Sequence, residues 1–314
     1  MAPHPRRFRF AVQLNGPFEG RTWADSVREV EDLGYSTLFV PDHLDSGLAP
    51  LAALATAVAD TTDLRVGPLV LDCDFRHPAI VARELSTIDL LSGGRLEVGL
   101  GAGWKRLDYD TSGIPMDPPG VRVSRMIEHA QVMKGLFGGE PVDFAGEHYQ
   151  VSGLTAIPPP STPGGPPFLI GGGAPRLLRF AGSFADIVGV NPSIHSGEID
   201  ADAARDAMDD RIDQKVAWVR EGAGDRFDDI ELNAWIAVAM LTDDPEGFAQ
   251  AMAPAFGADD GTALLSSPMT LVGTTAGLAD ELRRRRERWG YSYHCIPGDH
   301  ARDFAPLVAE LTGA

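Results

Sequence analysis

The chain carries two apolar rhythms in turn. FRFAVQLNG (Phe8–Gly16) alternates apolar and polar positions, the period of a strand. In TWADSVREVEDLG, Trp23, Val27, Val30 and Leu33 share one helical face, with Thr22 and Asp25 able to cap the start and Gly34 to end it. The pattern then repeats. STLFVPDHL reads as a second strand and LAALATAVAD as a second helix. LRVGPLVLDCDF is a third strand, HPAIVARELSTIDLLSGG a third helix with a glycine stop, and RLEVGLGAGW a fourth strand. The strands are apolar on both faces and start about 30 residues apart, the βαβ period of a parallel sheet covered by helices.

The second half is less regular. Val121–Phe137 is helical, GEPVDFAGEHYQVSGL predicts a hairpin around Ala145–Gly146, and IPPPSTPGGPP is a proline-rich loop. PFLIGG, ADIVGVN, IELNAWIAVAML and SYHCIPG read as strands five to eight, each followed by helical sequence. Eight such units predict an α/β fold, a (β/α)8 TIM barrel in one domain over 1–314, with insertions after strands 4 and 7 at about 105–166 and 242–274. A doubly wound sheet is the competitor. It would carry a dinucleotide fingerprint after the first strand, where NGPFEGRTW has no G-x-G-x-x-G.

A barrel places its chemistry at the C-terminal ends of its strands, so the candidates can be read off. They are Gln13 and Asn15, Asp42 and His43, Asp72 to Asp74, Gly101 to Trp104, Gly171 to Gly173, and Asn191. In GGGAPR, Arg176 occupies the third glycine position of a dinucleotide motif, which argues against that motif. What remains is a strand, three glycines and Pro175 opening a helix, which suits a phosphate against free backbone N–H groups. The plain alternative is a tight turn that needs glycine for sterics. His43 can move a proton near neutral pH or simply bond a loop carbonyl. Asp42 can orient that ring, touch a cofactor edge or cap a helix. Gly99, Gly101 and Gly103 either open space for a flat ligand or relieve a crowded interior. Asp72, Trp104, Tyr109, Tyr149 and Trp235, with Gln13 and Asn15, are candidates for a substrate pocket, each equally plausible as packing.

Composition narrows the class. The net charge is −18, from 45 acids against 27 Lys and Arg, which disfavours nucleic acid and anionic membranes as partners. The dense basic run Arg283–Arg288 closes a predicted helix and is expected to be a solvated face. Cys73 and Cys295 fall in predicted strands without metal-ligand spacing, and a reducing cytoplasm fits. MAPHPRRFRF lacks the apolar stretch of a secretory leader, and no run is long enough for a membrane span. Neither a metal centre nor a serine-hydrolase elbow is expected.

Taken together, FVPDHL, the block VGPLVLDCDFRHPAIVARELSTIDLLSGGRLEVGLGAGW, PFLIGGGAPRLLRFAGSFADIVGV and LVGTTAGLADELRRR resemble the luciferase-like monooxygenase superfamily. Within it they resemble the actinobacterial branch that uses the deazaflavin coenzyme F420. The resemblance implies a barrel with the cofactor phosphate on Gly171, Gly172, Gly173 and Ala174, with Asn191 nearby. It implies His43 near the reactive face of the ring, with Asp42 as its catalytic companion and a cofactor contact. It also implies a non-proline cis peptide at Leu69–Val70 backing the ring, with Gly101, Ala102 and Gly103 lining it. The expected activity is hydride transfer between deazaflavin C5 and a small organic C=C, C=N or alcohol/carbonyl group. An FMN-dependent, oxygen-using monooxygenase is the alternative, and a non-catalytic flavin-binding barrel is a third reading. Dimers are common in the superfamily. Sugar-phosphate dehydrogenases of this family carry a carboxylate where Trp104 stands and a tryptophan near Ser46 or Gly47. Both are missing, so sugar-phosphate activity is not expected.

Overall fold

A computed structural model describes residues 6–194, 196–198, 200–256 and 261–314. Among these the strands are β1 (Arg9–Gln13), β2 (Thr37–Val40), β3 (Arg65–Pro68), β4 (Leu71–Asp72), β5 (Val98–Gly101), β6 (Val142–Ala145), β7 (Gln150–Leu154), β8 (Phe168–Gly172), β9 (Ile187–Val190), β10 (Glu231–Trp235), β11 (Val238–Leu241), β12 (Thr270–Gly273) and β13 (Tyr291–Pro297). The helices are α1 (Trp23–Asp32), α2 (Pro50–Asp60), α3 (Pro78–Ser92), α4 (Arg106–Ser112), α5 (Pro119–Phe137), α6 (Pro175–Phe184), α7 (Ala201–Asp206), α8 (Asp209–Ala223), α9 (Pro245–Met252), α10 (Thr262–Ser266), α11 (Thr275–Trp289) and α12 (Ala301–Leu311). The alternation of strand and helix matches the apolar rhythm, and Thr22 Oγ1 accepts the Asp25 N–H at the start of α1, as the cap motif requires.

The chain divides into two compact units. One comprises Met1–Gln13, Glu29–Ser36 and Gly171–Ala314, the other Leu14–Arg28 and Thr37–Ile170. In the first, β1 pairs parallel with β13 from Arg9↔Tyr293 to Gln13↔Pro297, β13 with β10, and β10 with β9. Phe8, Phe10, Tyr291 and Tyr293 are buried around this ladder. In α6 the residues Leu177, Leu178, Ala181 and Gly182 are buried, and this helix packs on α8. The approach is close: a Cβ on Gly182 or Gly222 would overlap backbone of the facing helix. In the second unit, β2 pairs parallel with β3, β4 with β5, and β5 with β8. Helix α3 packs between α2 and α5, and β6–β7 form the expected hairpin.

Three sequence expectations change. The third strand stops at Pro68, passes a cis peptide at Leu69–Val70 and resumes only as the two-residue β4, so Cys73 and Asp74 lie in the turn beyond it. Apolar periodicity does not register such a break, because the residues on both sides stay buried. The seventh strand is two: β10 joins β13, whereas β11 pairs with β12 in a separate ladder. In the basic run, Arg285 is buried; its guanidinium bonds Glu281 and the carbonyls of Pro268 and Leu265. Its neighbours bond outward, Arg283 to Asp280 and Glu310 and Arg288 to Asp209 and Asp213. The 105–166 segment holds α4, α5 and the hairpin; the 242–274 segment holds α9, α10 and β12, with residues 257–260 outside the described ones. Among the described residues no helix is long and apolar enough to cross a membrane.

Candidate active site

In the second unit, the polypeptide leaving β2 places Asp42 and His43 in succession. Asp42 is 5% exposed and its carboxylate is fully engaged. Arg76 Nη1 donates to Oδ2 at 2.5 Å, Arg76 Nη2 to Oδ1 at 2.9 Å, and the Asp72 N–H to Oδ2 at 3.1 Å. Asp42 therefore ties the end of β2 to β4, and it does not hold the histidine. His43 Nδ1 instead lies 2.7 Å from Asp108 Oδ2, while the Leu44 N–H donates to Asp108 Oδ1 at 2.8 Å. Trp104 stands edge-on to the imidazole, with ring centroids 5.6 Å apart at 90°. The His43 side chain is 25% exposed, against 3% for Asp108. Its Nε2 makes no hydrogen bond among the described residues.

Asp72 closes β4 beside a second acidic pair. Tyr109 Oη lies 2.8 Å from Asp72 Oδ2 and 3.0 Å from Asp74 Oδ2, and the Asp74 N–H donates to Asp72 Oδ1. Arg125 pairs with Asp74 at 2.6 Å and also bonds Asp117. Burial pushes the Asp72 carboxyl up to about 7, and the nearby Asp74 and Asp42 charges add to it. Asp72, Cys73 and Asp74 have ligand atoms within 4.8 Å of one another, but Tyr109 and Arg125 occupy these acids, and burial pushes the Cys73 thiol well up. The trio therefore gives no support to a metal centre.

The glycines of β5 are packed by the chain itself. A Cβ on Gly99 would overlap the Pro68 carbonyl, and one on Gly101 would come within 2.6 Å of Val70 Cγ2. Gly103 has φ +72°, and a Cβ there would overlap Tyr109 Oη and lie 2.5 Å from Asp72 Oδ2. Crowding, rather than open space, explains this run. The Ala102 and Gly103 carbonyls accept from Arg122. Val70 sits against β5, facing Gly101, and the Leu69 N–H donates to the Val40 carbonyl at the end of β2. Tyr149 lies away from His43 in contact terms: its ring is edge-on to His77 and His129, and its Oη is 3.4 Å from His129 Nδ1. Asn15 is exposed, and its carbonyl accepts the Leu48 N–H.

In the first unit, the glycine turn after β8 is braced from below. The Asn191 N–H donates to the Gly172 carbonyl at 2.9 Å. A Cβ on Gly173 would sit 2.5 Å from Asn191 O, Pro192 C and Ser193 N, and one on Gly172 would overlap Leu177. Ala174 is the N-cap residue of α6 and Pro175 opens it. The Gly173 and Ala174 amides donate to no protein acceptor among the described residues. Asn191 Oδ1 is buried without a partner, beside Gly171. Gln13 and Trp235 meet through a 2.6 Å bond from the indole Nε1.

Sequence reasoning had no route to Asp108, Arg76 and Arg125. Asp108 sits in the first turn of a seven-residue helix inside a segment read as an insertion. An acid there is indistinguishable from a solvated one until packing buries it.

The model of the luciferase-like monooxygenase family matches residues 9–289. An F420-dependent glucose-6-phosphate dehydrogenase of Nakamurella multipartita is 30% identical over 257 residues, 77% of this chain and 70% of that protein. A 5,10-methylenetetrahydromethanopterin reductase of Archaeoglobus fulgidus is 29% identical over 58% of this chain and 56% of that protein. Among solved structures, the coenzyme F420 dependent tetrahydromethanopterin reductase from Methanopyrus kandleri aligns with TM-score 0.74 and 20% identity, over 98% of this chain and 99% of that chain. A likeness of that extent shows the fold, the α/β TIM barrel that the strand and helix rhythm predicts. The chain belongs to the luciferase-like monooxygenase family, on the side of it where the F420-dependent oxidoreductases lie.

Proposed function

We propose that this chain is an F420-dependent oxidoreductase that transfers a hydride between deazaflavin C5 and a small organic substrate, with His43 exchanging the accompanying proton. The observation that carries the reading is His43 itself. The carboxylates around it are buried, and they and the part-exposed Arg76 and Arg125 are committed to ion pairs, whereas this part-exposed imidazole keeps Nε2 uncommitted. The relatives named as F420-dependent supply the cofactor class.

The residues present fit that cofactor. In the first unit, Gly173 lets the turn pack directly on the Asn191–Ser193 backbone, and the Gly173 and Ala174 amides at the start of α6 have no protein acceptor among the described residues. Gly171–Ala174 and Asn191 would hold the phosphate. In the second unit, Leu69, Val70, Ala102 and the glycines beside them would back the ring. When bound, the deazaflavin supplies a two-electron hydride carrier that reacts poorly with oxygen. For an alcohol substrate, the carbon-bound hydrogen leaves as hydride and His43 Nε2 takes the hydroxyl proton, so the C–O bond becomes C=O. In the reverse direction the imidazolium returns that proton. Asp42, Arg76 and Asp72 fix the strand ends that carry these groups, which is catalysis by positioning.

Three cations of the second unit are already committed to carboxylates, which favours an uncharged substrate. Arg76 is held by Asp42, Lys105 by Asp45, and Arg125 by Asp74 and Asp117. A phosphate ester bound by any of these three would have to displace a carboxylate.

Titration of the purified protein with F420 and with FMN, followed by cofactor fluorescence and calorimetry, tests the reading. Saturable F420 binding with FMN much weaker is the expected result; preference for FMN would move the chain to the oxygen-using class. Once turnover is measured on a screen of uncharged alcohols, imines and enones, His43→Ala should lose about 10²- to 10⁴-fold. Unchanged turnover at every pH would remove His43 from the mechanism.

A further inference from the structure

We propose that Asp108 is the positioning residue of His43: it fixes the imidazole proton on Nδ1 and presents the Nε2 lone pair for proton exchange. The proposal rests on the role given to His43 above. Two observations carry it, one of geometry and one of hydrogen count.

The geometry is a two-point clamp. Asp108 Oδ2 is 2.7 Å from His43 Nδ1, and Asp108 Oδ1 accepts the Leu44 N–H at 2.8 Å. One carboxylate therefore binds both the ring and the next peptide of the same strand end, so the backbone holds the carboxylate in place and the ring cannot turn without giving up its Nδ1 bond. Trp104, edge-on at 5.6 Å, packs beside the ring. The carboxylate is itself anchored, because it is buried and α4 carries it in its first turn, with the Asp108 N–H on the Lys105 carbonyl and Lys105 salt-bridged to Asp45.

The hydrogen count fixes the tautomer. An ionised carboxylate only accepts hydrogen bonds, so the ring nitrogen facing it must carry the hydrogen. In the neutral imidazole, Nε2 is then the acceptor. This is the arrangement a base needs, and the same bond stabilises the imidazolium once a proton has been taken. Asp42, the nearer acid in sequence, is already occupied by Arg76 and the Asp72 amide.

A purely structural reading competes, in which Asp108 does no more than satisfy the Leu44 amide. Asp108→Asn separates the two. The asparagine carbonyl can keep the Leu44 bond, but its amide group donates to Nδ1 and so forces the hydrogen to Nε2. The measurement is ¹⁵N-edited NMR of histidine-labelled, cofactor-free protein at a pH where His43 is neutral, with His43→Gln assigning the resonances. In the wild-type protein Nδ1 should resonate as a protonated nitrogen and Nε2 as an unprotonated one; Asp108→Asn should exchange the two positions, and Asp108→Glu should keep the wild-type pattern. A wild-type spectrum with the hydrogen on Nε2 overturns the proposal, even if no variant folds. So does an Asp108→Asn spectrum that keeps it on Nδ1. If the tautomer is as expected but His43→Ala keeps full turnover, the clamp stands and the role of His43 in the reaction fails.

Discussion

The hydroxyl of Tyr109 lies 2.8 Å from Oδ2 of Asp72, with Oδ2 of Asp74 3.0 Å from the same oxygen. One hydroxyl has one hydrogen to give, so two short bonds to carboxylates are both satisfied when one acid is protonated. Arg125 is bonded to Asp74, whereas Asp72 has no cationic partner among the described residues, so the proton falls on Asp72. Its carboxyl is pushed up to about 7, chiefly by burial.

That position has a consequence for stability. A carboxyl raised in the folded state contributes stability that is fully present below its unfolded value of 3.8 and is lost as pH rises through about 7. Between pH 5 and 8 the loss from this group should be roughly 2–3 kcal/mol. Urea denaturation of the wild type and of Asp72→Asn at both pH values checks it. The variant keeps the shape and a partner for Tyr109, so its stability should fall less across that window. Equal slopes for the two proteins would place the proton elsewhere.

His294 is the opposite case. It is fully buried on β13 between Phe8 and Phe10, with ring centroids 6.0 and 5.7 Å away, and neither ring nitrogen has a partner among the described residues. Burial, with Arg285 and Arg286 adding, pushes it down to about 3. A histidine lowered in the folded state contributes stability that is present above about 6.5 and lost as pH falls towards 3. His294→Phe removes an unpaired polar ring and keeps an aromatic one. The variant should be more stable than the wild type, with the advantage growing by about 2 kcal/mol from pH 7.5 to pH 5 in thermal or urea unfolding. A constant difference across that range would show that His294 already titrates normally.

How much of this was legible beforehand follows a physical line. Asp42–His43 and the glycine turn were placed by sequence, because each sits at a strand end and strand ends are set by apolar rhythm, whereas the Leu69–Val70 cis peptide was implied only by the family resemblance. The partners were not. Asp108 and Tyr109 are consecutive on α4 yet clamp different strand ends, His43 and Asp72, and nothing in RLDYDTSG marks either as buried. Gly101 and Gly103 read either as room for a ligand or as relief of a crowded interior, and Val70, Tyr109 and Asp72 decide for crowding. Glycine signals that a backbone is approached closely; it does not say by what.

The same ambiguity at the glycine turn can be resolved by experiment. A Cβ on Gly172 would meet only the flexible Leu177 side chain, whereas one on Gly173 would meet backbone of Asn191–Ser193 at 2.5 Å. Gly173→Ala must shift the turn itself. F420 affinity, read by fluorescence titration, should fall at least about tenfold for Gly173→Ala (~1.4 kcal/mol) and distinctly less for Gly172→Ala. Similar affinities for both variants would mean that the turn does not hold the cofactor.

The segment that backs Gly173 depends on Lys215. This side chain is 1% exposed on α8, and its ammonium donates to Asn191 O at 3.1 Å, Asp206 O at 2.7 Å and Asp206 Oδ2 at 2.5 Å. Asp206 Oδ2 in turn accepts the Ser193 N–H. Burial lowers the lysine pKa and the Asp206 carboxylate opposes that, so the charge is retained by its partner. Lys215→Met has similar length and no charge. It strands the Asn191 carbonyl and leaves Asp206 with Arg211 and the Ser193 amide. Removing one member of a buried pair should cost about 3–5 kcal/mol. Limited proteolysis should then cut faster within residues 191–206 while strands β10 and β13 keep their protection against hydrogen exchange. Loss of protection everywhere would instead make Lys215 a residue of the global core, and an unchanged cleavage rate would show that the segment is held by other contacts.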